Sequence, residues 1–158
     1  MNEPFTERLI KEYHQLLKKG TSDERWYGVG QYKKVPNVVG DLEVAQPHEV
    51  PQLMESLIDQ FNDKQEVTLI DVLEFHHAFE SIHPFQDGNG RVGRLIMFRQ
   101  CLTHHITPFI VSAERREQYI KGLKEFKNDP TILENEAVQG QKAFAKIAEP
   151  FVKYYQKD

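Results

Sequence analysis

The sequence has little cysteine and no excess of positive charge. Cys101 is the single cysteine, which excludes an internal disulfide and indicates a reducing compartment. The formal net charge is −4, from 20 basic and 24 acidic side chains. The chain therefore lacks the basic surface by which proteins bind nucleic acid or anionic membranes through charge alone, and we expect no direct nucleic-acid partner.

Long apolar runs and repeats are also missing. No run of about 18 apolar residues occurs, and the N-terminus, MNEPFTERLIKEYHQ, lacks the apolar core of a signal peptide. We therefore expect no membrane association and predict a cytoplasmic protein. The 158 residues are 39% hydrophobic and 28% charged, which is typical of one globular domain. We predict a single domain over residues 1–158, with Cys101 as a core side chain.

The spacing of apolar residues predicts an all-α fold of about six helices. Side chains such as Leu69, Val72 and Phe79 recur three or four residues apart, so they form one apolar stripe per helix. The predicted helices cover about residues 6–18, 50–63, 67–82, 90–104, 114–127 and 135–156. The stretch between the first two is rich in Gly, Pro, Tyr and Val and has no helical period. It predicts a short β-hairpin over about residues 27–46, with its turn near Pro36-Asn37 or Gly40-Asp41.

The run HPFQDGNGRVGR, residues 83–94, joins two predicted helices. The first helix must end near His83, because the residue before a proline is pushed away from the α region. Gly88 and Gly90 flank Asn89, and glycine permits the positive φ values that turn successive N–H groups inward to form an anion nest. The next helix begins at this point, and its N-terminus favours phosphate. The run therefore predicts a phosphate-binding loop.

Charged and ionisable side chains in this run extend the prediction. Arg91 and Arg94 are three residues apart, so both guanidinium groups lie on one helix face and can hold a polyphosphate. Asp87 suits such a site only if a cation lies between it and the phosphates, and Mg²⁺ is the common solution. His83 can accept a proton from an attacking hydroxyl. Each residue alone has a plainer interpretation, as a turn, a cap or a solvated charge, but their combination within twelve residues does not.

At every specified position this run resembles the signature of the Fic family, His-x-Phe-x-(Asp/Glu)-Gly-Asn-Gly-Arg-x-x-Arg. Outside it, YGVGQYKKVPNVVG is similar to the family's flap hairpin, FHHAFESIHPF to the helix entering the motif, and EQYIKGLKEF to the helix that shapes the nucleotide pocket. The resemblance covers roughly residues 6–127. It implies a helical domain that transfers AMP from MgATP to a Ser, Thr or Tyr hydroxyl of a target protein.

The resemblance also implies a role for each motif residue. His83 would be the catalytic base, Phe85 would anchor the loop in the core, and Asp87 would hold Mg²⁺. Residues 28–40 would dock the target by pairing with its extended backbone. The other implied residues are the anion hole (Gly88, Asn89 and Gly90), the phosphate ligands (Arg91 and Arg94) and two adenine-pocket candidates that fit core packing equally well (Tyr119 and Leu123).

Many Fic proteins carry an inhibitory helix, (Ser/Thr)-x-x-x-Glu-(Gly/Asn), whose glutamate pairs with the second motif arginine. The nearest run here, residues 131–135 (TILEN), is one residue too short and directly follows Pro130, a poor setting for a helix interior. We therefore expect Arg94 to have no regulatory partner within this chain. The chain would then be a fragment, an unrestrained enzyme, or a bacterial toxin whose antitoxin partner supplies the glutamate.

Three alternatives remain. A phosphotransferase of the Doc branch typically carries a lysine at the second glycine of the motif, so Gly90 favours nucleotidyl transfer. Removal of AMP would need a glutamate near the metal, and we find none. A zinc or plain interaction module is disfavoured because adjacent histidines face different sides of a helix and no Cys-x-x-Cys occurs. His76 is predicted as a core histidine, and the other histidines of this alternative are His77, His83, His104 and His105.

Overall fold

A computed structural model describes residues 4–21, 28–40 and 43–155. These residues form six α-helices and contain no β-strand, so the predicted all-α class is confirmed. The helices are α1 (Glu7–Lys18), α2 (Val50–Asn62), α3 (Leu69–Ile82), α4 (Asn89–Thr103), α5 (Arg116–Glu125) and α6 (Thr131–Tyr155). Across the described ranges, no helix is both long and apolar enough to cross a membrane.

Local side chains explain where the first and last helices begin. The hydroxyl of Thr6 accepts a hydrogen bond from the Leu9 N–H at 3.3 Å and caps α1. The last helix begins at Thr131, before the predicted residue 135, because the Asp129 carboxylate accepts the Thr131 N–H at 3.1 Å. Its predicted end at residue 156 lies outside the described residues.

The predicted β-hairpin over residues 27–46 is wrong for the part that the structure describes. Residues 28–40 and 43–46 form no strand, and only Val39 is an isolated bridge residue. Residues 27, 41 and 42 lie outside the described residues. The predicted turn at Gly40-Asp41 is therefore described only at Gly40. We refer to residues 28–40 as the flap segment.

The flap segment forms hydrogen bonds with the motif loop and not a hairpin ladder. The Lys33 N–H donates to the Pro84 carbonyl at 2.8 Å, and the Asn37 side-chain amide donates to the Phe85 carbonyl at 2.9 Å. A backbone donor used in this way cannot also join a hairpin ladder. The segment is therefore shaped by contacts with residues about 50 positions away in sequence, which its own pattern does not encode.

The first of two compact units comprises Met1–Val67 and Glu74–Met97. Its core contains a trio of aromatic rings, Phe5, Phe61 and Phe75, whose centroids lie 5.2–6.2 Å apart at edge-on angles. The motif residue Phe85 is fully buried in the same core, where the family resemblance placed it. The motif loop is therefore anchored from inside this unit.

The second unit comprises Thr68–Leu73 and Phe98–Asp158. In it α5 and α6 pack closely, since a Cβ added at Gly122 would lie 2.9 Å from the Leu133 Cα. Cys101 is buried and free, as predicted, and burial raises the pKa of its thiol to about 11, so it is unreactive. The helices α3 and α4 contribute residues to both units, and the single domain over residues 1–158 stays a prediction.

Candidate active site

The backbone of the motif loop takes two unusual conformations. His83, directly after α3, has φ +53°, and Gly88, directly before α4, has φ +84°. Gly90 does not share this positive φ, because it already lies in the first turn of α4. A Cβ at Gly90 would lie 3.3 Å from a terminal nitrogen of Arg94. Gly88 therefore provides the turn, and Gly90 provides room for the arginine.

The Asn89 side chain holds this loop together. Its Oδ1 accepts the Phe85 N–H at 2.7 Å, and its Nδ2 donates to the Phe85 carbonyl at 2.8 Å. Asn89 is fully buried, so both bonds are shielded from water. The side chain is therefore committed to the loop, and a contribution of Asn89 to an anion hole would come from its backbone N–H.

The electrostatic environment of the His83 imidazole suits a general base. Burial lowers the pKa of its imidazole below the ordinary value, and the nearby charge of Lys33 lowers it further, while a backbone contact with Glu80 opposes them. The ring is therefore neutral at neutral pH. Its buried Nδ1 has no hydrogen-bond partner among the described residues. A neutral imidazole can accept a proton from a hydroxyl that approaches it.

The positive φ of His83 predicts a measurable strain. We expect His83→Gly to be more stable than His83→Ala by about 1 kcal/mol, because glycine adopts this backbone region without a Cβ clash. Both variants remove the imidazole, so their difference isolates the backbone. Urea unfolding measures it, and the matched pair Ser81→Gly and Ser81→Ala, within α3, should show the opposite order. A His83→Ala variant as stable as His83→Gly would contradict the strain.

Two buried polar side chains of α1 contact the motif loop, and the sequence analysis missed both. His14 and Lys18 lie four residues apart and follow buried Ile10 on the same helix face. Polar residues at positions where an amphipathic helix should be apolar are a signal that could have identified them. They are two of the six fully or nearly fully buried polar side chains that the structure describes.

His14 fixes the main chain at Asp87. The Gly30 N–H donates to His14 Nδ1 at 2.9 Å, so the ring proton is on Nε2, which donates to the Asp87 carbonyl at 3.0 Å. The ring also stacks on Phe85, with centroids 4.0 Å apart and planes 2° from parallel. Burial lowers the pKa of His14, which keeps this arrangement neutral.

The Asp87 carboxylate already has cations around it. Its Oδ2 contacts the Lys18 ammonium and lies 3.6 Å from a terminal nitrogen of Arg91. The hydrogen bond from Lys18 is the main reason that the pKa of Asp87 lies below its ordinary value, so the group is ionised at neutral pH. The side chain of Asp87 is 49% exposed, whereas that of Lys18 is 1% exposed.

These residues fit Mg²⁺ only as an ion that is shared with phosphates. Among the described residues, no three His, Cys, Asp or Glu side chains are grouped as a metal site. The histidines of the zinc alternative are among the side chains that form no such group. Asp87 therefore stands as one ionised, half-exposed carboxylate at the rim of the loop. In nucleotide sites Mg²⁺ commonly takes one or two carboxylates and completes its shell with phosphates and water. Asp87 as the metal residue stays a prediction.

A buried polar cluster lies beside Arg94. A Cβ at Gly93 would lie 2.5 Å from Glu80 Oε1 and 3.1 Å from His76 Cε1, so α3 and α4 approach closely here. Burial raises the pKa of Glu80 to about 7, and the charge of Arg94 opposes that rise. Burial lowers the pKa of His76 to about 3, consistent with the predicted core histidine. Arg94 makes no ion pair among the described residues, but its charge acts on Glu80, which the sequence analysis overlooked.

The half-buried Glu80, whose Oε1 is shielded from water, predicts how stability depends on pH. A carboxyl whose folded pKa is about 7 binds its proton more tightly when folded, so stability is lost as pH rises from about 4.5 to 7. We expect Glu80→Gln to remove this loss. Its free energy of unfolding should exceed that of the native protein by up to about 3 kcal/mol at pH 8, but not at pH 4.5. Urea unfolding at both pH values tests this. Glu74→Gln, an exposed change on the same helix, is the control, and a gain independent of pH would refute the assignment.

The two adenine-pocket candidates lie in the second unit. Tyr119 is buried and lines a small cavity with Phe109, Ile110 and Arg115, and Leu123 is half-buried on the same helix. Arg115 makes a two-pronged ion pair with Glu136, at 2.8 and 2.7 Å, beside that cavity. Contact with adenine stays a prediction for both residues.

Residues 4–101 match the model of the Fic/DOC family, and they include the whole motif loop and the α1 residues that contact it. The chain belongs to the Fic/DOC family. The match covers the first unit and ends within α4, so the resemblance that the motif suggested extends through the helices around it.

Curated relatives share the same region. The chain is 31% identical over 111 residues to a "Probable protein adenylyltransferase" of Aquifex aeolicus, across 69% of this chain and 34% of the relative. It is 30% identical over 98 residues to the protein adenylyltransferase fic-1 of Caenorhabditis elegans, across 60% of this chain and 19% of the relative. The chain therefore spans about a third or less of each of these two relatives.

Solved structures show the same fold. A Fic domain containing signaling protein from Bacteroides thetaiotaomicron has a TM-score of 0.71 at 28% identity, over 99% of this chain and 59% of that one. Fic-1 from Caenorhabditis elegans has a TM-score of 0.76 at 20% identity, over 98% of this chain and 45% of that one. At 20% identity, the similarity to Fic-1 supports the fold alone.

Proposed function

We propose that this chain transfers AMP from MgATP to a hydroxyl side chain of a target protein. The observation that carries the proposal is a neutral imidazole, His83, in the same short loop as the N-terminus of α4 and two exposed arginines, Arg91 and Arg94. The relatives named protein adenylyltransferases support the same reaction. ATP and a hydroxyl-bearing protein are therefore the proposed partners.

Different residues would carry the proton transfer and the binding of the phosphates. The target hydroxyl gives its proton to His83 as its oxygen bonds to the α-phosphorus, and the bond from that phosphorus to the departing pyrophosphate breaks. The N–H groups of Gly88, Asn89 and Gly90 at the α4 N-terminus would hold phosphate oxygens. Arg91 and Arg94 would neutralise the rest of the triphosphate.

Mg²⁺ is the proposed cofactor, and Asp87 is the residue that would hold it. When bound, the ion neutralises charge that develops on the phosphates. His14 and Lys18 hold Asp87 by its carbonyl and its carboxylate. The protein part of such a site is therefore positioned before any ligand arrives.

The flap segment is the proposed docking site for the target. Lys33 and Asn37 tie it to the motif loop, because the buried Lys33 ammonium donates to Asn37 Oδ1 at 2.8 Å and to the Ile82 carbonyl at 3.3 Å. Two aliphatic side chains of the segment are exposed, Val35 at 61% and Val38 at 85%. The segment would thus offer apolar contacts close to His83. The exposed Arg94 remains the proposed contact of an antitoxin or regulatory segment.

Gly90 favours AMP transfer over the phosphotransferase of the Doc branch. Any side chain at this position would start 3.3 Å from an Arg94 terminal nitrogen, so the guanidinium would have to shift to make room. In this chain, Gly90 leaves that space to the Arg94 guanidinium. A triphosphate bound with its γ end at Arg94 would present its α-phosphorus to the hydroxyl, which is the geometry of nucleotidyl transfer.

Labelled ATP tests the proposal directly. The purified chain is incubated with Mg²⁺, host lysate and ATP labelled at either the α- or the γ-phosphate. We expect protein-bound label from the α position alone, and a mass increase of one AMP that identifies the target. Label from the γ position alone would show phosphoryl transfer, and no label from either with ATP bound would contradict both reactions.

A further inference from the structure

We propose that Lys18 makes divalent-metal binding at Asp87 depend on the nucleotide. The Lys18 ammonium places a positive charge beside the carboxylate, so a free metal ion is repelled and only a metal carried by a polyphosphate binds. The inference builds on the proposed function, because it concerns the residue that would hold its metal. It assigns a role to Lys18, a residue outside the signature motif.

The position of Lys18 makes it a fixed charge. Its side chain is 1% exposed, and its ammonium contacts Asp87 Oδ2. Its Cε would lie 3.6 Å from a Cβ at Gly88, with Leu17 Cδ2 at 3.4 Å from the same point. A lysine packed this closely cannot swing into water without separating α1 from the loop. It therefore stays beside the carboxylate when a ligand arrives.

The main chain of Asp87 is held beside Lys18. Its carbonyl oxygen accepts the proton of His14 Nε2, and His14 is held by the Gly30 N–H and by stacking on Phe85. Main chain and carboxylate are thus held from the same helix, four residues apart. The ion pair is therefore a constant part of the site, and a metal must bind in its presence.

The charges around Asp87 decide what can bind. The carboxylate carries one negative charge, and the Lys18 ammonium and the Arg91 guanidinium, 3.6 Å away, carry one positive charge each. Two positive charges thus lie beside the single negative charge of Asp87, and they oppose a free divalent cation. A triphosphate adds several negative charges beside the α4 N-terminus and offsets these cations. Metal and nucleotide should then bind as one unit.

Manganese binding without nucleotide tests this step. Mn²⁺ is titrated into the native protein, Lys18→Met and Lys19→Met, and the free ion is followed by electron paramagnetic resonance. We expect Lys18→Met to bind at least tenfold more tightly than the native protein, equal to about 1.4 kcal/mol. Lys19→Met removes the same charge from an exposed neighbour and should match the native protein. Lys18→Gln, which keeps a polar end, should behave as Lys18→Met does.

A double variant locates the metal. Lys18→Met combined with Asp87→Asn should lose the added affinity, because the carboxylate is then neutral. Native protein that binds free Mn²⁺ as tightly as Lys18→Met would overturn the role of Lys18. Calorimetry with Mn²⁺–ATP separates the role of Lys18 from the proposed function. The native protein should bind the Mn²⁺–ATP complex. A native protein that binds neither free nor nucleotide-bound manganese would overturn the proposed function itself.

Discussion

Replacement of His83 by alanine is expected to slow AMP transfer by about 10²–10⁴-fold, because the hydroxyl then lacks a group that accepts its proton. Burial and the charge of Lys33 keep the native imidazole neutral, so the native base is ready at neutral pH. Affinity for MgATP should change little, since the arginines and the α4 N-terminus remain. The loss should therefore fall on kcat, measured with ATP labelled at the α-phosphate.

The control for this prediction is His48→Ala, which removes an exposed histidine and should leave transfer unchanged. Binding of a fluorescent ATP analogue to His83→Ala shows that the site is intact. A variant that keeps most of its activity would mean that His83 is not the base. A variant that loses nucleotide binding together with activity would instead indicate a structural role for the imidazole.

Replacement of Asn89 by alanine is expected to destabilise the protein by about 3 kcal/mol. Two buried hydrogen bonds are lost, and the Phe85 N–H is left without a partner away from water. The Phe85 carbonyl still accepts the Asn37 amide at 2.9 Å, so the cost is lower than two full desolvation penalties. The free energy of unfolding in urea measures the effect.

Asn89→Asp sharpens this test. The carboxylate can still accept the Phe85 N–H, but it has no donor for the Phe85 carbonyl and faces that oxygen with a negative charge. We expect it to be at least as unstable as Asn89→Ala at neutral pH. Asn135→Ala, an exposed change within α6, should cost less than about 0.5 kcal/mol. Equal stability of Asn89→Ala and the native protein would show that the two hydrogen bonds between Asn89 and Phe85 are not needed for the loop.

Residues close together in sequence determined most of the fold and the motif. The 3.6-residue period of apolar side chains placed all six helices, because that period is set by the helix itself. Pro84 predicted the end of α3, and Gly88 predicted a positive φ in the loop, since both follow from backbone sterics at one residue. The chemistry of His83, Asp87 and the arginines could be proposed for the same reason, as these groups occupy one short run.

Only the tertiary structure decided what surrounds that run. Lys18 and Asp87 are 69 residues apart in sequence, and Lys33 and Ile82 are 49 apart, so no local pattern links them. Their pairing depends on how α1 and the flap segment pack against the loop, and packing depends on the shapes of many side chains together. That packing replaced the predicted hairpin with contacts to the loop and placed the half-buried Glu80 beside Arg94. The sequence by itself thus determined which groups the site contains, and the tertiary structure decided which charges they meet.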